Sequence, residues 1–146
     1  RQRGEMKKLV LAGMLALPLA GAGIAEDKLE SSVGRKLGRP YVWGATGLKA
    51  YDCSGFVWRS LADAGVLLKR TTARKLFYSL PAASAAERSS PGTLVFFDQV
   101  HHVGVVRNER EFYHASSSHG TTLDHFAPYW QRLVSGYRKI YSEPRR

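Results

Sequence analysis

Tyr51-Asp52-Cys53-Ser54-Gly55-Phe56 contains the only cysteine among 146 residues. A helical pattern follows it. Phe56, Val57, Ser60, Leu61 and Ala64 fall on one face at spacings of one, three and four. Asp52 is suited to cap that helix and Gly65 to end it, which puts Cys53 at the first helical position. Unpaired backbone N–H groups and the positive end of the helix dipole favour a negative sulfur there. The expectation is a thiol of lowered pKa that acts as a nucleophile near neutral pH. A lone cysteine is more commonly a small buried hydrophobe, so Cys53 taken alone favours that reading and the rest of the chain has to reverse it.

A nucleophilic thiol needs a base beside it and a third polar group to orient that base. His102 and His114 lie 12 residues apart on two β-rich runs, 102–107 and 111–116, joined around Asn108. Their index sum is 216, so a three- or five-residue loop centred on Asn108 sets them directly opposite. Cβ atoms are then roughly 4.5–5.5 Å apart, close enough for one imidazole to fix the tautomer of the other. A two-residue turn instead slips the register and makes the pair diagonal. His101 and His102 face opposite sides of a strand. His102 shares its face with Gly104, Val106, Phe112 and His114, and Gly104 leaves space beside it for a helix end. His102 is therefore the expected base and His101 a surface or packing residue. His119 and His125 sit in polar loop sequence, and no histidine pair shows a strong helical metal-binding spacing, so no metal or other cofactor is expected.

The rest of the chain reads as helices first and strands second. Helices are predicted at 27–37, from Cys53 to Gly65, and from a Thr71 or Thr72 cap to Leu80, which Pro81 stops. Tyr41-Val42-Trp43-Gly44 is a short extended piece, and 82–90 is a surface loop. Strands are predicted at 93–97, 102–107, 111–116, a short one at 121–123, and a last one at 134–141, with a turn or helical turn at 126–130. This order argues α+β, with N-terminal helices packed on a C-terminal antiparallel sheet.

Composition sets the compartment. Hydrophobic content of 44% and aromatic content of 11% fit a globular chain rather than a disordered one. Met6-Lys7-Lys8, an uncharged run over 9–25, and small residues through Ala20-Gly21-Ala22 and Gly23-Ile24-Ala25 form a secretory signal pattern. The expected division is 1–25, upstream residues and a signal running from Met6 to about Ala25, then one catalytic domain over 26–146. The run of 17 residues is short for a membrane span, so cleavage rather than a lasting anchor is expected. The first 25 residues hold four of the 22 basic side chains and one of the 12 acidic ones. From Glu26 onward the counts are thus 18 and 11, a net of +7. A basic exported protein is drawn to anionic envelope polymers, and export without a nucleic-acid-binding motif argues against a nucleic-acid partner. One cysteine leaves no internal disulfide. A free thiol in an oxidising compartment suggests chemistry more than structure.

Five motifs occur in order: Tyr41-Val42-Trp43-Gly44, Asp52-Cys53-Ser54-Gly55-Phe56, Pro91-Gly92-Thr93-Leu94-Val95-Phe96-Phe97, His102-Val103-Gly104-Val105 and His114-Ala115-Ser116. Together they resemble the NlpC-type cell-wall cysteine peptidases, over about 37–141. The resemblance implies a reduced papain-like fold, with Cys53 as nucleophile, His102 as base and His114 as orienting residue. It implies that Tyr41 helps the Cys53 N–H hold the oxyanion, that Asp52 and Ser54 line the substrate pocket, and that Arg70-Thr71-Thr72 matches the family's Arg-Thr-Ser stretch. Three departures bear on loop shape: Ala45 stands where a second Gly is usual, Lys69 where Pro is common, and Thr93 where Asp is common. The implied activity is a periplasmic or secreted endopeptidase acting on peptidoglycan stem peptides. It would cut between D-Glu and a diamino acid or at the cross-link, through an acyl-enzyme. The rival readings are acyl transfer on the same dyad, an antibacterial effector, and an inactive wall-binding module.

Overall fold

The computed structural model describes residues 24–45 and 49–140. All but the last two residues of the predicted signal segment, and Tyr141 at the end of the last predicted strand, lie outside them. Three helices come first: α1 (Glu26–Gly34), α2 (Cys53–Asp63) and α3 (Ala73–Ser79). Strands β1 (Leu94–Phe97), β2 (His102–Val106), β3 (Glu111–Ser116) and β4 (Gly120–His125) follow, then α4 (Pro128–Leu133) and β5 (Val134–Arg138). The five strands form one antiparallel sheet in the order β4-β3-β2-β1-β5. This is the α+β arrangement that the order of helices and strands predicts, and the reduced papain-like one that the resemblance implies.

Leu94-Val95-Phe96-Phe97 is apolar without alternation because the sheet is covered on both faces. On one face Leu94, Phe96, Val103 and Val105 pack with Leu29, Val33, Phe56, Val57 and Leu61 of α1 and α2. On the other, Val95, Phe97, Val106 and Phe112 pack with Phe126, Trp130, Leu133 and Tyr137. The second layer comes from the 126–137 segment, where a turn or helical turn at 126–130 and a strand from 134 are predicted. Pro128 sits in the first turn of α4 without losing a needed hydrogen bond, and its last turn runs straight into β5.

Two predicted boundaries shift for local reasons. α1 stops at Gly34, three residues early, and Lys36 turns inward to Asp63 at 2.9 Å and to the Ser32 carbonyl at 2.6 Å. β4 spans six residues rather than three because every residue of 120–125 pairs with β3, from Ser116↔Gly120 to Glu111↔His125. The β1–β2 connection is a tight one. Asp98, Gln99 and Val100 all have positive φ, at 51°, 52° and 61°. That conformation is unusual for non-glycine residues and especially for a β-branched one. The Val100 N–H donates to Ser135 Oγ and the His101 N–H to the Asp98 carbonyl, and these bonds hold the turn.

Candidate active site

α2 begins where the sequence predicts. Asp52 is extended and its Oδ1 accepts the Gly55 N–H at 2.6 Å, so Cys53 is the first helical residue. The helix ends at Asp63, and Gly65 at φ 93° closes it. α2 lies against β2 and β3, with the Cys53 Sγ 3.9 Å from the His101 carbonyl oxygen. Cys53 is 9% exposed.

His102 Nε2 lies 2.8 Å from His114 Nδ1, and His114 Nε2 lies 3.2 Å from Asp124 Oδ2. One tautomer set satisfies the whole chain. His114 gives its Nε2–H to the carboxylate, His102 gives its Nε2–H to His114, and His102 Nδ1 is left free to take a proton. His114 is fully buried, against Phe112 and Trp130. Among the described residues no group of three or more His, Cys, Asp or Glu converges as a metal would require.

The hairpin register differs from the directly opposed one. Val105 pairs with Tyr113 and Val106 with Phe112, an index sum of 218. The loop is centred on Glu109, with Asn108 Oδ1 accepting the Arg110 N–H. His102 and His114 are therefore diagonal neighbours on one face, within reach of long side chains. Gly104 stands opposite His114. A Cβ there would meet the Tyr113 carbonyl oxygen at 2.9 Å, the Phe112 ring at 3.0 Å and the His114 Cβ at 3.4 Å. Gly104 thus makes room for β3 rather than for a helix end.

Asp124 was not expected. Its signal was present: once 120–125 is read as a full strand, Asp124 pairs with Phe112 and shares a face with His114. His101 is exposed, with Nδ1 2.9 Å from the Asp98 carbonyl. His119 and His125 are exposed as well.

Cys53 sits between two cavities. One, of about 610 Å³, is lined by Asp52, Ser54, Arg70, Thr72, Arg74 and Val100, among others. The other, of about 630 Å³, is lined by Tyr41, His102, His119, Asp124, Tyr129 and Trp130, among others. Trp43, His101 and Cys53 border both. Asp52 is heavily engaged. Its Oδ2 accepts the Gly44 N–H at 3.0 Å, its Oδ1 caps α2, and Arg70 Nη2 approaches at 3.1 Å. Arg70 also donates to Ser54 Oγ at 2.8 Å. The departing residues are accommodated locally. The Ala45 N–H closes a turn onto the Val42 carbonyl around Gly44 at φ 74°, and Thr93 Oγ1 donates to the Glu87 carbonyl. Lys69 is exposed.

The NlpC/P60 family model matches residues 38–139. The chain belongs to the NlpC/P60 family. It is 34% identical over 116 residues to the peptidoglycan DL-endopeptidase CwlO of Bacillus licheniformis, covering 73% of this chain and 25% of that protein. A crystal structure of an NlpC/P60 family protein from Bacillus cereus superposes with a TM-score of 0.71 at 22% identity, over 84% of this chain and 42% of that one. RipD of Mycobacterium tuberculosis, described as a non-catalytic NlpC/p60 domain protein adapted to peptidoglycan binding, superposes with a TM-score of 0.60 at 15% identity, over 77% of this chain and 93% of that one. The chain spans 20–23% of the length of the Listeria proteins called probable endopeptidase p60.

In this NlpC/P60 chain the thiol is not the lowered one expected at a helix N-terminus. Burial pushes the Cys53 pKa up, and the neighbouring Asp52 carboxylate adds to that. The backbone N–H groups of Val103, Ser54 and Cys53 pull the other way and are outweighed. Burial, with His114 close by, pushes His102 down to about 3. His114 is also lowered by burial, against the pull of Asp124. The resting pair is thus a neutral thiol beside a neutral imidazole. Tyr41 is raised by burial, then by Cys53 and Asp52, so its hydroxyl keeps its proton and remains a donor.

Two outcomes follow from these directions. The rate of Cys53 alkylation by iodoacetamide is expected to climb with pH through and above about 8.5, the ordinary thiol value. A plateau below that value would restore the preformed thiolate. Stability is expected to fall in acid. The unfolded chain takes up histidine protons near pH 6.5, whereas folded His102 waits until about 3. Stability is therefore complete above 6.5 and is lost as pH drops towards 3, by up to about 1.4 kcal/mol per pH unit for one such group. Between pH 6.5 and about 5 carboxylates contribute little, so urea midpoints over that window should show a slope that His102→Gln reduces. An unchanged slope would mean that His102 titrates normally in the fold.

Proposed function

We propose that this chain is an exported cysteine endopeptidase that cleaves amide bonds of peptidoglycan stem peptides. The observation that carries the reading is the position of Cys53. It stands at the start of α2, lining one cavity with His102, whose Nε2 is engaged by His114, which Asp124 engages in turn. In this reading Cys53 attacks the carbonyl carbon as His102 Nδ1 takes the thiol proton. The negative oxygen that forms is held by the Cys53 N–H and the Tyr41 hydroxyl. His102 then gives the proton to the departing amine, leaving a thioester that water resolves through the same imidazole. His114 and Asp124 keep the base in the tautomer that accepts at Nδ1. Asp52, Ser54 and Arg70 shape the cavity beside the nucleophile.

Several supports are independent of one another. A thiol with an imidazole and an oxyanion donor suits acyl transfer, whereas glycoside hydrolysis needs two facing carboxylates. The basic charge suits an anionic wall polymer. The signal pattern over 1–25 suits export, with 26–146 as the catalytic unit. CwlO, named as a DL-endopeptidase, is the relative of highest identity quoted above. The fold by itself does not carry the activity, since RipD shares it and is described as non-catalytic.

Digestion of purified sacculi tests this reading. New peptide amines are expected without a matching rise in reducing ends. Reducing ends without amines would overturn it. If the products carry an added amine acceptor in place of water, the same dyad is working as a transferase. Binding without any release would make the chain a wall-binding module.

A further inference from the structure

Small residues in 20–25 offer two places for signal cleavage, after Ala22 and after Ala25. Each cut has small side chains one and three residues before it, so the pattern alone does not choose. The folded domain distinguishes them, because it uses Ile24 and Ala25. Ala25 is the N-cap of α1, and its carbonyl accepts the Leu29 N–H at 3.0 Å. Ile24 stands just outside the cap and is partly buried against the core cluster that holds Leu29, the fourth residue of the helix. This is a hydrophobic staple, which fixes the angle at which a chain enters a helix. The seat for Ile24 is built by distant parts of the chain. Gly92, just before β1, has φ 91°, and a Cβ there would overlap Ile24 Cγ2 and press on Ile140 Cδ1 at 3.2 Å. Ile140, beyond β5, is itself buried. Ile24 thus closes the core where the starts of α1 and β1 meet the residues after β5.

A chain beginning at Glu26 would lack the staple, and the Leu29 N–H would lose its acceptor. It would also carry a charged α-amine at the first helical position, against the positive end of the helix dipole. Glu26 and Asp27 suit that end of α1, and a terminal ammonium does not. We propose that the signal is removed between Ala22 and Gly23, so that the mature protein begins at Gly23 and keeps Ile24 and Ala25 as working residues of the domain. The inference rests on the export reading above and moves the start of the catalytic unit from Glu26 to Gly23. The step is hydrolysis of the Ala22–Gly23 amide by the exporting cell's signal peptidase. One water is consumed, leaving a carboxylate on Ala22 and a free amine on Gly23.

N-terminal sequencing of the protein recovered from the envelope or medium of cells expressing the full chain tests it, with two variants alongside. Wild type is expected to begin at Gly23. Ala22→Asp puts a charge one residue before that cut and should no longer yield a chain beginning at Gly23. Ala25→Asp should be cut as wild type is and melt no lower, because aspartate is a good N-cap. Any other wild-type start overturns the proposal while export stands, as does Ala22→Asp cut like wild type. Wild type retained uncut in the cytosol overturns the export reading and the cleavage site with it. The packing has its own readout. In the mature protein Ile24→Ala is expected to lower the melting temperature by about 5 °C. An unchanged melting temperature would mean that the domain does not use Ile24, and the reason for preferring Gly23 would be gone.

Discussion

Cys53→Ala is expected to lower amine release from sacculi by about 10⁴-fold or more, while circular dichroism and the melting curve stay close to wild type. The loss is large because removing a covalent nucleophile removes the whole two-step route and leaves only binding and oxyanion stabilisation. No neighbouring group takes over. Ser54 is the nearest hydroxyl in sequence, but its oxygen accepts from Arg70 at 2.8 Å, and it lines the Asp52 cavity rather than the one with His102. Folding should survive for two reasons. Alanine is a good helix former at the first position of α2, and the Asp52 cap does not involve the sulfur. Cys53 also borders open cavities, so losing one sulfur atom leaves no sealed void. Cys53→Ser tests the chemistry more finely. A hydroxyl in the same place is harder to deprotonate, and a neutral imidazole is a weak base for it, so Cys53→Ser should fall nearly as far. Undiminished release from Cys53→Ala would remove this thiol from the reaction.

The parts of the site that were legible in the sequence are those set by local chemistry. Asp52 before Cys53 and Gly65 after the apolar face are start and stop signals that act within one turn, and both operate as read. The grouping of His102 with His114 follows from side-chain alternation, which survives a register shift of two residues. Contacts that depend on distant packing were not legible. The register itself depends on how the 107–111 loop folds its own side chains, with Asn108 and Arg107 both bound to Glu111 Oε1. The second layer of the sheet, built from Phe126, Trp130 and Leu133, is too short and irregular to show helical periodicity. Asp124 was hidden because the short strand legible at 121–123 stops one residue before it, and only the pairing with β3 shows that the strand runs on through Asp124. The Cys53 thiol departs from the helix-end expectation for a related reason. A helix N-terminus can be read locally, whereas the burial that outweighs it comes from the β1–β2 turn and from β2, some 45–50 residues away in sequence.

The second large effect is expected at the histidines, and it should be graded rather than uniform. His102→Ala should lower kcat by about 10²–10⁴-fold, the range for a lost general base. His114 touches His102 through Nδ1 at 2.8 Å, and the Oδ1 of an asparagine occupies the corresponding position on its shorter side chain. His114→Asn should therefore keep an acceptor for the His102 Nε2–H and retain more activity than His114→Ala. His114→Gln, which carries its oxygen one bond further out, should fall between them. Part of the His114→Ala loss will be structural, because the ring is fully buried against Phe112 and Trp130. A melting curve separates that part from the loss of orientation. Asp124→Asn should be mild, since an amide oxygen still accepts from His114 Nε2, whereas Asp124→Ala should lower kcat more than it changes KM. His101→Ala keeps the main-chain carbonyl that faces Cys53 and loses only an exposed ring, so most activity should remain. The decisive comparison is between neighbours. If His101→Ala is inactive while His102→Ala turns over, the imidazole that serves Cys53 is on the other face of β2, and the relay through His114 and Asp124 is not the catalytic one.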